Sequence, residues 1–104
     1  MRRALASIAA HHDGPVTAGA WNAGLWAWLA REQPDLRVVN LDGLVNNVAF
    51  DAVKHGTYGT YLYETADVLL ENPRWGGTLF LDEAQADSLA SRYRWDPTEA
   101  WVRR

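Results

Sequence analysis

The sequence predicts an α/β domain: a short, mostly parallel sheet of three or four strands, flanked by helices in three layers. Three observations carry this expectation. Segments of helical periodicity alternate with short apolar runs, the pattern of a parallel sheet covered by helices. Clusters of turn formers, Asp13-Gly14-Pro15, Gln33-Pro34-Asp35 and Asn72-Pro73, separate those segments. The 104 residues fit one domain, since two separate hydrophobic cores would not fit.

Arg3 to His12 reads as a helix with Leu5, Ile8 and Ala9 on one face, stopped at Asp13-Gly14-Pro15. Val16 to Ala20 is a short strand of small residues. Asn22 is placed to cap a helix from Ala23 to Arg31, in which Leu25, Trp26 and Leu29 share a stripe. Leu36 to Leu41 is the clearest strand, its β-branched pair Val38-Val39 flanked by polar residues. Asn46 and Asn47 open a helix that runs to His55 and closes at Gly56. A short aromatic helix, Thr57 to Thr65, leads to a third strand, Asp67 to Glu71. A fourth apolar run spans Thr78 to Leu81. Asp82 caps a last helix to about Arg92, and Asp96-Pro97-Thr98-Glu99 restarts a turn or short helix. The layering is Rossmann-like.

Composition narrows the function classes. Apolar residues at 48% and charged residues at 22% describe an ordered globular chain without a disorder signature. The net charge of −3 argues against nucleic-acid binding, which needs a clustered basic face. The absence of cysteine removes disulfide scaffolds, thiolate zinc sites and cysteine nucleophiles. No uninterrupted apolar run approaches the roughly 20 residues that span a bilayer, and Met1-Arg2-Arg3 leads into no signal-peptide pattern, so a soluble chain is expected. Six tryptophans are many for this length; such rings anchor cores, stack on sugars and line interfaces.

Right-handed crossovers place consecutive strand ends on one edge of the sheet, the edge where open α/β sheets bind ligands. The loops Gly19 to Gly24 and Asp42 to Asn47 are therefore expected side by side. That gathers Trp21, Asn22, Asn40, Asp42, Asn46 and Asn47 as a candidate ligand-binding group. Gly19 and Gly24 stand in a G-x-x-x-x-G frame, but Leu25-Trp26 replaces the Lys-Ser/Thr of a phosphate loop. The dinucleotide pattern G-x-G-x-x-G is absent, and Asp42 occupies the strand-end place of a ribose-binding acid. His11 and His12 are adjacent and His55 closes another helix, so no metal-ligand spacing emerges. Ser7, Ser88 and Ser91 lie within helices, and Asp82-Glu83 fits as negative charge at a helix N-terminus. No catalytic residue, metal or cofactor is expected.

The run Asn40-Leu41-Asp42-Gly43-Leu44-Val45-Asn46-Asn47 admits two readings that can hold together. One is a turn whose side chains bond its own backbone amides. The other is a polar pocket for a hydroxyl-rich ligand, with Trp21 as a stacking surface.

The stretch Val38-Val39-Asn40-Leu41-Asp42-Gly43-Leu44-Val45-Asn46 resembles the V-V-N-L-D-G-L-V-N signature near the C-terminus of multi-spanning membrane glycosyltransferases of the GT-C type, which use lipid-linked sugars. Asn22-Ala23-Gly24 stands about twenty residues earlier, where that family carries an Asp/Asn-Ala-Gly stretch after a strand. The order of helix, glycine, aromatic helix and strand that follows is also similar, so the likeness covers about residues 3 to 82. It implies a non-catalytic, extracytoplasmic (periplasmic or cell-surface) domain following the last membrane helix of such a transferase in cell-envelope assembly. Its implied partners are a glycan or lipid-linked sugar and the membrane portion of the enzyme. The family's catalytic acid lies in an early loop between membrane helices, a part this chain lacks. Two other readings stand beside it: a stand-alone nucleotide or sugar-phosphate module with an amide nest near Gly19 or Gly24, and a protein-interaction domain using exposed tryptophans.

Overall fold

The computed structural model describes residues 2–12, 14–42, 46–76, 80–96 and 100–104, with the side chains of 75 and 76 outside that set. Helix α1 (Arg2–His11) buries Ala4, Leu5 and Ile8 on one face. Strand β1 (Val16–Ala20), helix α2 (Gly24–Ala30) and strand β2 (Leu36–Asn40) follow. Asn46 caps α3 (Asn47–Lys54), and Gly56 ends it at φ +73°, a left-handed conformation that side-chain-bearing residues resist. Then come α4 (Tyr58–Thr65), β3 (Val68–Leu69), the single turn α5 (Pro73–Gly76), α6 (Glu83–Ser91), β4 (Tyr93–Asp96) and β5 (Ala100–Arg103). At the head of α6, Asp82 accepts from the Gln85 amide while the Gln85 side chain accepts from the Asp82 amide, a full capping box.

The molecule is a mixed α/β domain whose five strands run in the order β2-β1-β3-β5-β4. β1 pairs parallel with β2, from Val16 opposite Leu36 to Ala20 opposite Asn40, and parallel with β3 through Ala18 and Gly19. β5 pairs antiparallel with both β3 and β4. The chain leaves β1 in one direction to reach β2 and returns past β1 to reach β3. With right-handed crossovers, reversing direction moves the connecting helices to the other face. Accordingly, α1 and α2 close one face with Leu5, Ile8, Leu29 and Leu36, while α3, α4 and α6 close the other with Ala49, Tyr58, Leu62 and Leu89. The sheet thus carries one apolar cluster on each face, as a layer of helices on both sides requires.

β3 holds a central position with two residues because its flanks are pinned. The Asp67 amide donates to the Thr17 carbonyl and the Leu70 amide to the Gly19 carbonyl. The Asp67 carboxylate accepts from the Thr17 amide at 2.9 Å and from the Arg103 guanidinium at 2.6 Å, tying β1 to β5. Gly19 solves a packing problem on the second face. A Cβ there would stand 2.5 Å from Leu41 Cδ1 and 3.1 Å from Ala66 Cβ, so the missing side chain is the space that fully buried Leu41 fills.

Several expectations need correction. The sheet has five strands and is not strictly parallel, because β5 pairs antiparallel with both β3 and β4. β4 and β5 pair Trp95 with Trp101 directly across, at 5.5 Å between ring centroids, an aromatic cross-strand contact that stabilises the pairing. Residues 97–99 lie outside the described set. Of the expected fourth run, Phe80 and Leu81 form a turn and bend, and the rest is outside the described residues. Leu25 is exposed instead of sharing the buried stripe of Leu29, and Asn22 does not cap α2, whose N-cap is Ala23 without a side-chain bond.

The Gly19 contact yields a direct expectation. Gly19→Ala should lower the unfolding free energy by about 1–3 kcal/mol through overpacking against Leu41. Gly24→Ala, where a Cβ meets nothing within 4 Å, should leave it unchanged or slightly raised. Urea unfolding of the two variants measures the contrast.

Candidate functional site

The carboxyl ends of β1 and β2 adjoin, as parallel pairing requires, and the Leu41 amide extends the ladder by donating to the Ala20 carbonyl. Trp21, Asn22, Asn40, Asp42, Asn46 and Asn47 accordingly all lie at one rim of the sheet. Their chemistry divides them.

Asn40 Oδ1 accepts from the Asp42 amide at 2.8 Å, closing a turn at the strand end. Asn46 is fully engaged. Its Oδ1 accepts from the Val48 and Ala49 amides at 3.0 and 3.2 Å, and its Nδ2 donates to the Asn40 carbonyl at 2.5 Å and to Tyr61 Oη at 3.1 Å. The Asn46 amide donates to the Asp42 carbonyl at 3.0 Å. Of the two readings of this segment, the self-bonding turn is the one these hydrogen bonds realise. Trp21 is half-buried, and its indole N–H donates to Tyr58 Oη at 2.8 Å, which in turn donates to the Leu41 carbonyl at 2.5 Å. The described remainder is outward-facing: Asn22 and Asn47 are exposed, and neither side chain hydrogen-bonds among the described residues.

The topology also relocates the crevice. In open α/β sheets a ligand sits where the strand order turns back, which here is between β1 and β3 rather than between β1 and β2. At that place Glu71, two residues past β3, fills the position. Its Oε1 accepts from the Trp21 amide at 2.6 Å and from the Asn22 amide at 3.2 Å. These two amides at the entrance to α2 are what a phosphate would need, and an internal carboxylate already occupies them.

Burial governs the tyrosines beneath the rim. Desolvation pushes the Tyr58 hydroxyl well above the ordinary tyrosine value; the Trp21 bond pulls it down, and the negative charge of Asp42 and the neighbouring Tyr61 push it further up. Desolvation does the same to Tyr93, opposed by Arg103, while its hydroxyl donates to the Ala66 carbonyl at 2.8 Å. The histidines serve their own helices: Nδ1 of His11, His12 and His55 donates to the carbonyl four residues earlier, at 2.7, 2.8 and 2.7 Å. Among the described residues no cluster of three or more histidine or acidic side chains is placed to hold a metal ion, and no helix is long and apolar enough to cross a membrane.

A separate cleft, which sequence reasoning did not foresee, opens on the second face between α4 and α6. Its volume is about 380 Å³ and it lies over Tyr58 and Phe80. Its one sequence signal is the pair Gly56 and Gly59, positions at which an added Cβ meets open space.

Compared with family models, curated proteins and solved structures, the chain matches none.

Two outcomes are expected. Tyr58→Phe strands the Trp21 indole N–H and the Leu41 carbonyl and should cost about 1–3 kcal/mol in urea unfolding. The raised tyrosines also set an alkaline limit. Unfolded tyrosine ionises near pH 10 while the folded ones keep their protons, so their contribution is complete below about pH 10 and shrinks above it. Unfolding free energy should fall above that pH, and less steeply in Tyr58→Phe Tyr93→Phe.

Proposed function

We propose that this chain is a non-catalytic α/β domain of a membrane glycosyltransferase of cell-envelope assembly, lying on the extracytoplasmic side. In this reading it covers the membrane active site, and its rim contacts the glycan acceptor. The observation that carries the proposal is the signature segment, whose described residues Val38 to Asp42 and Asn46 build a locked corner. Leu41 seals that corner over Gly19. A signature spent on architecture suits a domain whose part is to present a surface rather than to perform chemistry. The strand order β2-β1-β3, with helices on alternate faces, suits the Rossmann-like layering expected from the sequence.

Glycan contact then falls to Asn22, Asn47 and the exposed edge of Trp21, since Asn40 and Asn46 are spent on the turn. Amide side chains beside an indole edge suit neutral hydroxyls, which need hydrogen bonds and stacking rather than charge. In the first turn of α3, Val48 and Phe50 are 63% and 50% exposed, an apolar area beside Asn47 available to the membrane portion of the enzyme. The nucleotide alternative is the weaker one, because Glu71 would have to leave the Trp21 and Asn22 amides.

Titration with manno- and arabino-oligosaccharides, followed by amide NMR shifts, tests the reading. Binding near a Kd of about 1 mM is expected, with shifts at Trp21, Asn22 and Asn47. Asn22→Ala and Asn47→Ala, surface changes worth within about 0.5 kcal/mol of stability, should weaken it several-fold. Absence of any shift at tens of millimolar sugar would remove direct glycan contact.

A further inference from the structure

The cleft between α4 and α6 lies outside the rim group and has a chemistry of its own. Its floor is aromatic: Tyr58 and Phe80 pack edge to face, 5.2 Å between ring centroids and 63° between planes. Leu81 and Leu89 extend that apolar surface. On the polar side stand Ser88 and Arg92. Among the described residues no carboxylate lines the cleft, and Arg92 supplies its charge. Among the described residues Arg92 makes no ion pair, and its guanidinium stacks 5.1 Å from the Tyr63 ring centroid, which steadies it without neutralising it.

We infer that this cleft is a binding site for a small aromatic acid, a ring bearing a carboxylate or a phosphate. The ring packs on partly exposed Phe80, which buried Tyr58 holds edge to face from beneath, and such aromatic contacts favour aromatic over aliphatic bodies. The anionic oxygens meet Arg92, whose planar fork matches a carboxylate or phosphate edge, and the Ser88 hydroxyl. The volume of about 380 Å³ lies at the lower end of the range for small-molecule sites, enough for a molecule of one or two rings. The inference is independent of the glycan reading, since none of the six rim residues lines the cleft.

The test uses four probes of defined chemistry: benzoate, phenyl phosphate, inorganic phosphate and benzyl alcohol, titrated into the ¹⁵N-labelled chain. Benzoate or phenyl phosphate should shift the Gly56, Gly59, Ser88 and Arg92 amides at millimolar concentration. Benzyl alcohol and inorganic phosphate should each bind about tenfold more weakly, because each lacks one half of the recognition. Arg92→Gln should weaken the aromatic acid about tenfold and leave benzyl alcohol unchanged. Gly59→Leu, which grows a side chain into open space at the cleft, should abolish binding while circular dichroism stays native; Ser88→Leu serves the same purpose from α6. Equal binding of benzyl alcohol and benzoate, equal binding of inorganic and phenyl phosphate, unchanged affinity in folded Gly59→Leu and Ser88→Leu, or shifts confined to other residues would each overturn the assignment, as would no shift at tens of millimolar probe.

Discussion

Val68 and Leu69 form the middle strand of the sheet, and two residues offer too few ladder bonds to hold that position alone. Two acids supply the difference. Asp67, just before the strand, takes the Thr17 amide and the Arg103 guanidinium. Glu71, just after it, takes the Trp21 and Asn22 amides. Each carboxylate spans from β3 to β1 at one end, so the strand is clamped along its length by side chains where its backbone is short. The parallel half of the sheet, the antiparallel hairpin and both helix layers all meet at this clamp.

That arrangement has a consequence for ligands. The crevice where the strand order turns back is the usual opening of an open α/β sheet, and here Glu71 occupies it. The same acid that steadies the fold removes the amides that an exogenous anion would use. In the readings proposed above, recognition falls to two other places. At the rim, neutral amides and an indole edge suit hydroxyls. In the cleft between α4 and α6, an aromatic floor and the Arg92 guanidinium suit an aromatic acid.

Much of the architecture was legible in the residues. The alternation of helix and strand, the Asn46 and Asp82 caps and the Gly56 stop each rest on local chemistry, and the elements from α1 to β3, with α6, stand within a few residues of where their signals put them. The antiparallel strands at the C-terminus were not legible: Asp96-Pro97-Thr98-Glu99 reads as a turn or short helix, and neither Tyr93 to Asp96 nor Ala100 to Arg103 carries a burial alternation that marks a strand. Asn22 misled for a different reason. It has the right chemistry for an N-cap, but the helix begins one residue later, with Ala23 at the N-cap position, and Glu71, forty-nine positions away, holds Asn22 by its own backbone amide. The neighbourhood of the six rim residues followed from parallel pairing alone, whereas the partition among them into turn-builders and outward-facing side chains did not.

The sequence by itself determined, within a few residues, the elements from α1 to β3 and helix α6, that the first two strands run parallel, and that polar residues collect at their carboxyl ends. These follow from short-range periodicity, capping and the handedness of crossovers, which depend on residues a few positions apart. Only the tertiary structure decided that Glu71 closes the crevice, that Leu41 needs the bare backbone of Gly19, and that Tyr58, Phe80 and Arg92 share one cleft. Each of those joins residues from twelve to about fifty positions apart, and such distances are set by how the layers settle on the sheet rather than by any local pattern.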